Sequence, residues 1–120
     1  MSINPIEVAR LPENQREQII RGALQALMGM SQDQAFQTLR SIISTLASQA
    51  TDQEYVNWCL TTMRVLASFP DEAVRAGLAL RARVVASLDK RLADRDRDIV
   101  NRVMGMLDEA TRQKLMRNMQ

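Results

Sequence analysis

Thr51-Asp52-Gln53-Glu54-Tyr55-Val56-Asn57-Trp58-Cys59-Leu60-Thr61-Thr62-Met63-Arg64-Val65-Leu66-Ala67-Ser68-Phe69-Pro70 is the stretch on which the fold turns. Thr51 with Glu54 three residues on is a capping box, in which a hydroxyl and a carboxylate satisfy backbone N–H groups at a helix start. Pro70 bounds the run, because its ring and missing N–H exclude it from a helix interior. On a helical wheel Tyr55, Val56, Cys59, Leu60, Met63, Leu66 and Ala67 fill one broad arc. Trp58, Val65 and Phe69 extend that arc on the other flank, beside Thr62. Asn57, Thr61, Arg64 and Ser68 are left as a narrow polar stripe. A helix apolar over more than half its circumference lies at the centre of a bundle or is covered by another subunit.

The same punctuation recurs on both sides. Asn4, Pro5 and Glu7 read as cap, first-turn proline and capping acid of a short helical turn, making residues 1–10 an N-terminal arm. Pro12 opens a helix whose Ile19, Ile20, Ala23, Leu24 and Leu27 share a face, closed by Gly29. Ser31 with Gln34 is a second box, before Ala35, Phe36, Leu39, Ile42, Ile43 and Leu46 at helical spacing. Pro70, Asp71 and Glu72 start a helix expected to reach Leu92, and Asp96 and Asp108 read as caps of two shorter ones. No segment alternates apolar and polar residues with β-branched enrichment. The fold class predicted is all-α: one compact bundle of five or six helices over residues 1–120, with helical-hairpin or orthogonal packing.

Composition removes several function classes. The 120 residues contain no His and one Cys, Cys59, so no internal disulfide, His-based triad or Cys/His zinc site is available. No metal and no cofactor is expected. Asp94, Asp96 and Asp98 have the spacing of half a calcium loop. Ile99 stands where that loop needs Gly, and Gly105 where it needs Glu. Eight methionines include the triplets Met28-Gly29-Met30 and Met104-Gly105-Met106, and flexible Met suits irregular seams and adaptable surfaces. The start lacks the basic and apolar blocks of a signal peptide, and no run is long enough to span a membrane, so a cytoplasmic location is expected.

Several features ask for a partner. Trp58, Val65 and Phe69 form a ridge suited to docking on another protein, with the sole Trp as anchor. Gln37, Ser41, Ser44 and Ser48 give the second helix an uncharged outer face that is inexpensive to desolvate. Gly22, Ala26 and Gly29, and Ala79, Ala82 and Ala86, predict close packing of their two helices, within the chain or across a dimer axis. Arg81 interrupts the apolar row of Val74, Leu78, Val85, Leu88 and Leu92. Its head reaches water along an apolar stem, pairs with an internal carboxylate, or meets a ligand or partner, the first ranking ahead.

The reading is therefore a non-enzymatic protein–protein interaction module, homodimeric, serving as adaptor or accessory subunit, with Trp58, Val65, Phe69 and Arg81 as partner-binding residues. The alternative is a nucleic-acid accessory protein. The chain carries +2 net, but its second half holds most of the bases. Arg83, Lys90, Arg91, Arg95 and Arg97, with Arg75, lie within 23 residues and suit phosphates, although Asp89, Asp94, Asp96 and Asp98 dilute that field. An enzyme built on acids around Arg81 ranks last. Finally, Leu11–Arg21 echoes Leu107–Arg117 in a leucine, a first-turn acid and matching basic and apolar positions. A shared amphipathic helix start explains this ahead of a helical-hairpin repeat.

Overall fold

The computed structural model describes residues 3–119, so positions 1, 2 and 120 of the expected arm and bundle lie outside the described residues. The described chain is all-helical: α1 (Pro5–Ala9), α2 (Glu13–Met28), α3 (Gln32–Gln49), α4 (Asp52–Ala67), α5 (Asp71–Ala86), α6 (Lys90–Met106) and α7 (Glu109–Arg117). The caps form as the sequence implies. Asn4, Ser31, Thr51 and Asp108 each accept a backbone N–H of the first turn, and Thr51 with Glu54 closes the full reciprocal box.

Seven helices replace the expected five or six because the N-terminal turn forms a helix of its own, α1; the segment after Pro70 does not run through to Leu92. Its last helical residue is Ala86, where the Ser87 hydroxyl donates back to the Val84 carbonyl. Asp89 then accepts the Leu92 N–H and starts α6. Asp96 is consequently no cap. It sits in the middle of α6 with its side chain 2 % exposed.

α4 runs through the centre. Its polar stripe is matched, residue by residue, to the N-terminal helices, with Thr61 buried and Arg64 and Ser68 still exposed. Asn57 donates to the Ala9 carbonyl, Arg16 donates to the Thr61 hydroxyl at 2.7 Å, Arg64 to Glu13 and Arg21 to the Ser68 hydroxyl. The opposite arc meets α6, while Val65 is buried in the main core with Ile20, Leu46, Val103 and Leu115.

Four junctions between helices share one device. The carbonyl just before an N-cap cannot join either helix, and a cation from elsewhere satisfies it. Arg16 donates to Leu11, Arg95 to Ala50, Lys114 to Phe69 and Arg112 to Leu107. Arg16 and Arg112 hold matching places in the sequence echo, and each reaches back to the leucine that opens it. The echo is thus a junction device, and the nearly equal extents of 31 × 31 × 29 Å show a globule rather than a stack of hairpins.

Candidate functional site: an apolar cavity beneath α2 and α5

The small-residue rows on α2 and α5 do not meet. These two helices make no substantial contact, and a side chain at Gly22 would point into open space. Close packing is found at Gly77 instead, where a Cβ would stand 3.1 Å from Leu66 Cδ1 of α4. The expectation of tight packing within the chain is corrected for a simple reason: α2 docks on α4 through Arg16, Arg21 and the buried Ile20, while α5 leans on the far side of α4 and on α3.

Between them opens a cavity of about 400 Å³. α4 provides its floor with Trp58, Cys59, Thr62, Met63 and Leu66, and Leu24 and Leu27 of α2 and Leu39 and Ile43 of α3 wall one side. Ala73, Ala76, Ala79 and Leu80 of α5 form the other bank. Met28 and Met30 stand at the rim, and Met28 is 51 % exposed. The lining holds no Asp or Glu, and its only charged groups are Arg81 and Arg83. The Thr62 hydroxyl already donates to the Trp58 carbonyl.

The expected outer ridge is therefore corrected. Trp58 and Val65 are 6 % and 1 % exposed, enclosed by their own chain. Phe69 is half-buried, and the Arg21 guanidinium lies over its ring, 5.8 Å from the centroid. Trp58 faces the cavity; Val65 and Phe69 do not line it.

Arg81 belongs to an internal ion pair, which corrects the reading that placed its head in water. Two of its nitrogens donate to Asp96 at 2.7 and 2.9 Å, and the Tyr55 hydroxyl donates to the same carboxylate at 2.5 Å. Burial, reinforced by the Asp96 charge, raises the Tyr55 hydroxyl far above its usual range. Burial also pushes the Cys59 thiol up to about 12, against the opposing pull of Arg81. The side chain of Arg81 is 19 % exposed and reaches a second, shallower recess between α5 and α6.

The bases of the 75–97 stretch do not share one free face. Lys90 and Arg97 both pair with Asp94. Arg95 donates to the Leu46, Ala47 and Ala50 carbonyls at the end of α3, pairs with Asp52 and lies over the Tyr55 ring. Arg75 reaches Asn118. Only Arg83 and Arg91 of this group are exposed without an ion pair or side-chain hydrogen bond among the described residues. Sequence reasoning missed the cavity as a whole; its one trace was the run of small residues on α5, which left that bank too slight to close the gap. Comparison with known protein families, with curated proteins and with solved structures finds no match to this chain.

Proposed function

We propose that this protein is a non-enzymatic binding module that holds its partner by taking an apolar group into the cavity between α2 and α5. The observation that supports the reading is an open, apolar volume of about 400 Å³ reaching the buried residues of α4, with the sole Trp on its floor. Ligand sites are commonly concave, apolar and between about 300 and 1,000 Å³. Flexible methionines at the rim let such a mouth adapt to its guest. A protein partner would enter through side chains alone. A peptide backbone carries N–H and C=O groups that this lining could not satisfy, and burying them unpaired costs several kcal/mol, roughly 2–7 for each group. The anchoring role assigned to Trp58 from the sequence is kept, but exercised from inside the cavity.

The neutral fluorophore N-phenyl-1-naphthylamine tests this directly. It should bind at one site per chain, with energy transfer from Trp58, and Ala79→Phe on the exposed bank should block it. A probe that fails to bind, or that ignores Ala79→Phe, defeats the reading. The homodimer is a finer form of the same proposal, with a second copy as the partner. Light scattering at tens of micromolar should then give twice the chain mass, and a single-chain mass removes the dimer alone.

A further inference from the structure

The charge pattern of the cavity goes beyond its apolar character. We propose that its occupant is an anionic amphiphile, a free medium- or long-chain carboxylate, with its chain on the floor of α4 and its head at Arg83. This inference rests on the cavity being a binding site. Two observations carry it. The lining holds two guanidinium groups and no carboxylate, so any charge it accepts is negative. Of the two, Arg81 is already neutralised by Asp96, whereas Arg83 is exposed at the rim with no ion pair among the described residues.

The depth of the cavity favours a slender chain over a protein segment. The floor reaches Tyr55 and Cys59, both 3 % exposed or less, and a polymethylene chain can follow it without bringing polar atoms along. Cys59 borders the floor, but its buried thiol is too firmly protonated to act on such a guest. Thr62 has its hydroxyl engaged. The site is therefore suited to holding a chain rather than changing it. Arg83 supplies the polar end that fixes orientation, leaving the carboxylate hydrated at the mouth.

Titration of the Trp58 emission with dodecanoate, dodecanol and dodecyltrimethylammonium, each below its aggregation threshold, tests the proposal. Dodecanoate should bind one per chain and tightest. Each methylene removed between dodecanoate and octanoate should weaken binding by about fourfold, the value of one buried CH₂. Arg83→Gln should weaken dodecanoate by about three- to fivefold, as for an exposed ion pair, and leave dodecanol unchanged. Dodecanol binding as tightly as dodecanoate, with Arg83→Gln silent, overturns the anionic assignment while the cavity stands. If none of the three amphiphiles moves Trp58 and the neutral fluorophore also fails, the cavity reading falls with it. Arg83 is exposed and without a side-chain partner, so its replacement should not disturb folding, and an unchanged urea midpoint checks this.

Discussion

The two flanks of α4 solve opposite problems. Toward α6 it meets a charged group, Arg81 of α5, that breaks an apolar row; there Asp96 pairs with it, and Tyr55 donates to the same carboxylate. Toward α2 and α5 it presents Trp58, Met63 and Leu66, which obey the apolar pattern without exception, and there the neighbouring helices stop short and leave about 400 Å³ open. The cation that broke the apolar pattern is paired, and the apolar residues that kept it border the hollow. A buried charge tolerates no vacancy, since an unpaired ion in the interior costs several kcal/mol, whereas an apolar surface loses only about 25 cal/mol per Å² when left uncovered. Evolution can therefore leave a hollow on the apolar flank at modest expense, but not on the ionic one.

Substitution on each flank should expose this asymmetry. Asp96→Ala strands the Arg81 guanidinium and removes the acceptor of Tyr55, and urea unfolding should show a loss of about 3–5 kcal/mol. Replacing both Arg81 and Asp96 by Leu should recover most of that loss; a double variant no better than the single one would show that the pair supports more than its own charges.

Alkaline pH should weaken the same neighbourhood. The Cys59 thiol keeps its proton in the folded state to about 12, against 9.0 as its ordinary value. A raised folded-state pKa contributes in full below pH 9 and is lost as pH rises through 12. Stability should thus fall over that window, and Cys59→Ala should remove part of the fall, the raised Tyr55 hydroxyl supplying the rest. At pH 8 the thiol should react only slowly with disulfide reagents, because it keeps its proton.

The α2–α5 side should respond in the other direction and more gently. Gly22 lies inside α2 with open space where a side chain would go, so Gly22→Ala should raise stability by about 0.5–1 kcal/mol. Any loss there would mean that a partner needs the bare backbone. Smallest of all, Ala79→Phe should shift the urea midpoint by no more than about 0.5 kcal/mol in stability while abolishing binding of the neutral fluorophore. A large loss of stability would show that the bank is part of the core.

Much of the fold was legible because helix ends are written locally. A side-chain oxygen followed at about three residues by its N–H partner marks a start locally, and Asn4, Ser31, Thr51 and Asp108 all mark true ones. Asp96 misled because an Asp on a helix can equally be an ion-pair partner, and only the approach of Arg81 distinguishes the two uses. The partners of Asn57, Thr61, Arg64 and Ser68 were not legible either: polar groups mated to another helix and polar groups mated to water give one and the same wheel.

The candidate site was scarcely legible at all. Trp58 and Arg81 were singled out, but as a surface anchor and a misplaced cation; the hollow that Trp58 floors belongs to no single helix. The amino-acid order alone determined the all-helical class, most of the capped helix starts and the mostly apolar segment from Thr51 to Phe69, because spacing and caps act within a few residues. Tertiary structure decided where α2 and α5 fail to touch, which cations seal which junctions, and which flank of α4 stays open. Those outcomes depend on the distances between whole helices, and a space between elements leaves no mark in the residues of any one of them.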